Sequence, residues 1–191
     1  ITGEELNSFW MNNICNPLQL YDFFIYPPTA KNKGYFAETG NCPWSDSLLR
    51  GVVHDDNCRF MGGVGGHAGL FGTVEGVLFL CETILASVKG YPYKKALFNG
   101  IDRWINRIPG TSWCYGFDMP SLVGSSSGKY FSHSSIGHLG FTGVSFWIDI
   151  EKDIIIVFLT NRVLNAEDNR QIKKIRPKVH DHVMNSFFSN E

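Results

Sequence analysis

The stretch GHLGFTGVSFWIDIEKDIIIVFLTNRV, residues 137–163, carries the strongest strand signal in the chain, and its reading decides the fold. VSFWIDI (144–150) and DIIIVFLT (153–160) are rich in β-branched and aromatic side chains, which fit a pleated surface. A short turn at 150–152 joins them, so an antiparallel hairpin is expected. The second strand is almost wholly apolar, which predicts a central strand covered on both faces. Two strands cannot make an independent layered domain. The hairpin is therefore expected to join a sheet whose other members lie elsewhere. His138-Leu139-Gly140 stands at the entrance to this hairpin, a His-x-Gly fragment of the kind that serves an active site.

Working outward, IKKIRPKVHDHVM (172–184) predicts a helix capped at Asn165, with Pro177 kinking or restarting it. Ile172, Ile175, Val179, Val183 and Phe187 are its expected packing face. Upstream, SLVGSSSGKYFSHSS (121–135) is a polar connection. A helix is expected over 96–108, with Leu97, Ile101, Trp104, Ile105 and Ile108 as its stripe. Another follows Thr73 as N-cap, placing Val74, Val77, Leu78, Cys81, Ile84 and Leu85 on one side. The region from NPLQLYDFF through YPPTAKNKGYF to NCPWSDS reads as a loop-rich surface. At the N-terminus Thr2 and Glu5 form a capping-box pattern. Leu6, Phe9, Trp10 and Ile14 follow at helical spacing, so the chain opens into an amphipathic helix with almost no leader.

Composition narrows the function. In 191 residues a 43% apolar and 18% charged content describes a globular protein with a real core. A net charge of −1 provides no long-range field for nucleic acid or an anionic membrane. The longest apolar run, IIIVFL (154–159), has strand length and falls far short of the roughly 20 residues that span a bilayer. No signal-peptide pattern is visible. The five cysteines are widely spaced without a CxxC, which argues against a zinc knuckle, and their odd number argues against a complete disulfide framework. Single buried thiols are expected instead.

Three literal motifs fail on context. Gly63-x-Gly65-x-x-Ala68 matches a loose dinucleotide pattern, but HDDNCRFM (54–61) precedes it rather than an apolar strand. A glycine-rich turn with close backbone approach is the better reading. His180 and His182 lie two apart and so point to different sides of a helix, and nothing resembles HExxH. Ser126-Ser127-Gly128-Lys129 satisfies Ser-x-x-Lys, a pattern that in penicillin-recognising enzymes sets the two residues one helical turn apart. Here it sits among turn formers and begins no apolar helix.

Taken together, the segments resemble the C-terminal half of a serine β-lactamase-like protein, in the superfamily of class C β-lactamases, penicillin-binding proteins and esterases. TGEELNSFWMNNICNPLQL (2–20) resembles the family helix ending in a Pro-Leu-Gly-Met type turn, with Gln19 where glycine is usual. VVHDDNCRFMGGVGGHAGLFGTVEGV (52–77) resembles the glycine-rich segment and following helix of the penicillin-binding-protein-like branch. The stretch quoted at the opening is the strongest match. The resemblance implies an α+β fold, an α/β sandwich of the β-lactamase/transpeptidase-like type, with antiparallel C-terminal strands covered by helices. The 191 residues are then expected to be the C-terminal portion of one such domain, with the N-terminal part that holds the nucleophile absent.

By that resemblance His138-Leu139-Gly140 takes the place of the family's Lys-Thr-Gly or His-x-Gly triplet bordering the cleft. Gly140 would let a substrate acyl group approach the backbone, and the N–H of Phe141 would be one of two oxyanion donors. His138 would supply a polar, partly cationic group, since an imidazole is a weaker constant cation than a lysine. Leu139 replaces the usual threonine and removes a hydroxyl that often contacts a substrate carboxylate, leaving room for ester hydrolysis. Leu139, Thr142, His54, Asp55, Asn57 and His67 are the implied substrate-binding residues, the loop residues 54–67 being equally readable as polar-loop structure. The family's Ser-x-x-Lys and Tyr-x-Asn precede the matched segment, and no Tyr-x-Asn or Ser-x-Asn occurs in these residues.

The expected function is thus a share in acyl-enzyme hydrolysis of a β-lactam, D-Ala peptide or ester. The chain alone is expected to be inactive, since losing a nucleophile that acts as a unit with its base costs on the order of a millionfold. The implied partners are a small-molecule or peptidoglycan-like substrate and the missing N-terminal half. No metal or organic cofactor is implied, and the implied location is the periplasm or cell envelope of a bacterium. The alternative is a non-catalytic remnant acting as a peptidoglycan- or protein-binding module.

Overall fold

The computed structural model describes residues 2–26, 36–42, 45–91, 100–164 and 170–188. The chain divides into one unit of residues 1–76 with 161–166 and another of residues 77–160 with 167–191.

In the first unit the N-terminal helix has three parts: α1 (Leu6–Trp10), a π-helical turn over Met11–Cys15, and α2 (Asn16–Leu18). The capping box does not form. Glu5 takes the N-cap position without a side-chain cap, while the Thr2 hydroxyl accepts from the Glu4 N–H at 3.3 Å. The helix ends at Gln19, which is left-handed at φ 57° and ψ 40°. The Leu20 N–H then closes back onto the Cys15 carbonyl at 2.8 Å. That geometry favours glycine because it brings Cβ against the next carbonyl.

Short strands follow. β1 (Phe24–Ile25) pairs antiparallel with β4 (Phe71–Gly72), and β2 (Glu38–Cys42) with β3 (Ser47–Arg50). Between them lies α3 (Asp56–Phe60). The glycine-rich stretch after α3 is a tight turn with a Gly65–Ala68 bridge, not the start of a nucleotide-binding helix. At Gly69 (φ 105°) a Cβ would collide with the Gly63 carbonyl, the close backbone approach the glycines allow.

The second unit is built on a five-stranded antiparallel sheet in sequence order. Its strands are β5 (Trp113–Cys114), β6 (Phe117–Asp118), β7 (Ile136–Leu139), β8 (Ser145–Asp149) and β9 (Ile154–Phe158). Period-two alternation along β8 sends Ile148 to one core and Trp147 to the other. The first core joins Cys81, Ile84 and Leu85 of α4 (Val74–Lys89) to Ile101, Cys114, Met119, Ile136 and Ile148. The second joins Phe131, Trp147 and Ile156 to Met184 of α5 (Gln171–Phe188). Thr73 caps α4 as expected, its hydroxyl accepting from the Gly76 N–H at 3.1 Å.

Several expectations need correction. Among the described residues β9 is the last strand of the sheet, not a central one; its apolar sequence is accounted for by two covered faces. The helix expected over 96–108 is only a 3-10 turn at Ile101–Arg103, and Trp104 and Ile108 are exposed; residues 96–99, with Leu97, lie outside the described residues. Asn165 also lies outside them, as do residues 27–35 and 43–44 of the loop-rich region. Helix α5 neither stops nor restarts at Pro177. Its buried face is Ile172, Arg176, His180 and Met184, whereas Ile175 and Phe187 are exposed. All five cysteines are buried thiols. Among the described residues no helix is long and apolar enough to cross a membrane.

Candidate active site

The His-x-Gly triplet spans the end of β7. Register pairs His138 with Phe146 and Leu139 with Ser145, so the side chains of 138 and 139 leave opposite faces. His138 is exposed, and its Nδ1 lies 2.9 Å from the Leu139 carbonyl, to which it can only donate. Leu139 packs against the cluster of Phe131, Trp147, Ile156 and Met184, beneath the strand. On the other side of β7, strand β6 is paired only at Gly137, opposite Asp118. Beyond that point the outer edge of residues 138–140 meets no strand among the described residues, an edge to which an extended peptide can add.

A tight turn follows. The Gly143 N–H donates to the Gly140 carbonyl at 3.1 Å, and the Gly140 N–H donates to the Val144 carbonyl at 2.8 Å. Gly143 has φ 112°, which favours glycine. A Cβ at Gly140 would strike the Val144 side chain, so the constraint there comes from the turn itself. Phe141 is the first residue past the triplet and is 60% exposed; Thr142 is half-buried.

Two side chains that the sequence reading missed reach this turn from below. Arg176 of α5 is buried, and its Nη2 donates to the carbonyls of Gly143 at 2.9 Å and Val144 at 3.3 Å. The Thr160 hydroxyl, just after β9, donates to the same Gly143 carbonyl at 2.8 Å. The available signal was the i, i+4 spacing of Ile172, Arg176, His180 and Met184, which sets all four on one helix face.

The other implied residues belong to the first unit. Asp55 is the N-cap of α3; its Oδ1 accepts from the Cys58 N–H at 2.8 Å and lies 3.1 Å from His67 Nε2. The Cys58 backbone first, and His67 second, hold the Asp55 carboxyl below the usual carboxylate range. Asp55 and His67 are therefore brought together. Asn57 is exposed in the first turn of α3, and His54 is half-buried just before it.

Ser126 and Lys129 have no helical relation. The Gly128 N–H turns back to the Ser125 carbonyl at 3.2 Å, and the Lys129 N–H donates to Asp181 at 2.7 Å. An open apolar depression of about 480 Å³, lined by Trp104, Tyr115 and Gly116, includes none of the candidate residues. Among the described residues no group of three His, Cys, Asp or Glu side chains could hold a metal ion.

With this geometry in hand, the family model Beta-lactamase matches residues 1–179. The chain belongs to that family. Its helices and antiparallel sheet are those of an α+β, β-lactamase/transpeptidase-like domain, as the resemblance implied. Among its relatives is an N-acetylmuramyl-L-alanine amidase from Bacillus subtilis, 30% identical over an alignment of 198 positions that takes in 90% of this chain and 44% of that protein. A putative D-alanyl-D-alanine carboxypeptidase from Salmonella gallinarum is 32% identical over 141 residues, 70% of this chain and 31% of that protein. Its counterpart in Salmonella typhi is 31% identical over 140 residues, with the same coverage. The chain thus spans less than half the length of these curated relatives.

Proposed function

We propose that these residues are the C-terminal portion of one serine hydrolase domain that cleaves a peptidoglycan-like D-Ala peptide, a β-lactam or an ester through an acyl-enzyme. The observation that carries the reading is the open edge of β7 at His138–Leu139–Gly140, running straight into a tight glycine turn. The names of the relatives, a muramyl-L-alanine amidase and D-alanyl-D-alanine carboxypeptidases, favour a peptidoglycan-like amide as substrate and the bacterial cell envelope as location.

In this reading an extended acyl group lies along the β7 edge. Its carbonyl oxygen, on becoming a tetrahedral oxyanion, takes a hydrogen bond from the Phe141 N–H. The exposed His138 imidazole adds a polar group beside the reacting carbonyl, and Thr142 offers a hydroxyl at the rim. Leu139 contributes from beneath, anchoring the strand that carries the triplet to the α5-side core. In the first unit the paired Asp55 and His67, with His54 and Asn57, remain the other residues that the resemblance implies. The nucleophilic serine, its lysine and the base come from the N-terminal part of the family domain.

Intact-mass analysis after incubation with a penicillin and with a serine-reactive phosphonate tests this. The 191 residues alone will show no adduct, whereas the natural protein in its full length will gain one per chain. A stoichiometric adduct on Ser126 of the isolated residues would overturn the assignment. Absence of any adduct on the full-length protein would favour a non-catalytic binding module.

A further inference from the structure

We infer that Arg176 and Thr160 are positioning residues for the oxyanion donor: together they lock the turn of residues 140–143 that presents the Phe141 N–H. The inference rests on the hydrolase reading above and adds to it two residues that face away from any substrate.

The Gly143 carbonyl accepts from both Arg176 Nη2 at 2.9 Å and Thr160 Oγ1 at 2.8 Å, so both its lone pairs are engaged. Arg176 also reaches the next carbonyl, Val144, at 3.3 Å. That same Val144 carbonyl accepts the Gly140 N–H, which closes the other end of the turn. Both ends of the four-residue turn are therefore tied to two successive carbonyls that Arg176 holds, with Phe141 and Thr142 between them. Without these donors two backbone hydrogen bonds, Gly140 to Val144 and Gly143 to Gly140, would be left to hold a segment containing two glycines, the residues with the most backbone freedom to lose.

The identity of residue 176 supports a role beyond filling space. It lies on the helix face it shares with Ile172 and Met184, where an apolar side chain would pack without desolvating a cation. A guanidinium differs from them in carrying rigidly oriented donors that can meet two successive carbonyls. Thr160 repeats the pattern, a side-chain donor aimed at a backbone oxygen of the turn.

The test uses the natural protein in full length with Arg176→Met, Arg176→Lys, Thr160→Val and Thr160→Ser. Stopped-flow acylation by a fluorescent penicillin and by p-nitrophenyl acetate separates the acylation rate constant from binding affinity. Amide hydrogen exchange follows Gly140, Gly143 and, as an internal control, Ile148 in the middle of β8. Arg176→Met and Thr160→Val are expected to slow acylation roughly tenfold or more at nearly constant affinity, part of the penalty for losing an oxyanion donor outright. Exchange at Gly140 and Gly143 should quicken while Ile148 stays protected, and Thr160→Ser should remain near wild type, with Arg176→Lys intermediate. Equal loss of protection at Ile148 would reduce Arg176 to a general stabiliser and overturn the inference. So would unchanged acylation in Arg176→Met and Thr160→Val when the wild type is acylated. If neither probe acylates the wild-type protein, it is the hydrolase reading that fails, and the positioning role falls with it.

Discussion

His180 is fully buried on the α5 side of the sheet, in T-shaped contact with the Phe131 and Phe158 rings. Its Nδ1–H donates to the Ser126 carbonyl at 3.2 Å, since a carbonyl can only accept, and its Nε2 accepts from the Ser145 hydroxyl at 3.3 Å. The ring is thus satisfied as a neutral imidazole. Burial pushes its pKa down to about 4; the Arg176 guanidinium adds to the shift, and the Ser126 and Ser127 backbone and Asp181 oppose it. An unfolded histidine takes up its proton near pH 6.5. Between that pH and about 4 the unfolded chain binds more protons than the folded one, so stability falls as pH falls through this window.

At pH 7 both states are neutral and the loss is negligible. By pH 5 it amounts to about 2 kcal/mol, and below pH 4 to about 3 kcal/mol. Urea melts at pH 7, 6 and 5 on the wild-type chain and on His180→Gln isolate this share, because the other titrating groups cancel in the difference. The variant will be the less stable at pH 7, with a deficit that shrinks by about 2 kcal/mol by pH 5. Parallel pH slopes in the two chains, or a His180 ring proton titrating near 6.5 by NMR, would refute the argument.

Three further outcomes are expected. Asp149 is fully buried and accepts the backbone N–H groups of Ser132, Glu151 and Lys152, so Asp149→Ala will lose about 3 kcal/mol or more in a urea melt, and Asp149→Asn less. Gln19 is exposed and left-handed, so Gln19→Gly will raise stability by about 0.5–1 kcal/mol; a lowered denaturation midpoint would mean that its side chain holds more than the strain costs. Gly140→Ala will destabilise by about 1–3 kcal/mol through collision with Val144, and adding Val144→Ala will return part of it. Additive losses in that double-mutant cycle would disprove the collision.

The hairpin of β8 and β9, the capped helix α4 and the buried thiols could be read from the chain because each follows from local chemistry. Runs of β-branched and aromatic residues, a hydroxyl before a helical stripe and isolated cysteines mean much the same in most surroundings. Residues 101–108 show the limit. Ile101, Ile105 and Ile108 have helical spacing, yet Ile101 alone is fully buried and the segment forms one short turn, because packing overrides a weak local preference.

The triplet at 138–140 was legible as a motif. That its outer edge lies open depends on where β6 stops pairing, and no local pattern encodes a pairing limit. On α5 a ranking by hydrophobicity selects Ile175 and Phe187, which are exposed, and passes over Arg176 and His180, which are buried. The sequence by itself determined the β8–β9 hairpin, helices α4 and α5, the family and the place of the His-x-Gly triplet, since these rest on residue chemistry and order along the chain. Only the tertiary structure decided which polar side chains go inside. Burying a cation or an imidazole is favourable only against particular partners, here the Gly143 and Val144 carbonyls for Arg176 and the Ser126 carbonyl and Ser145 hydroxyl for His180, and folding brings those together across more than 30 residues of chain.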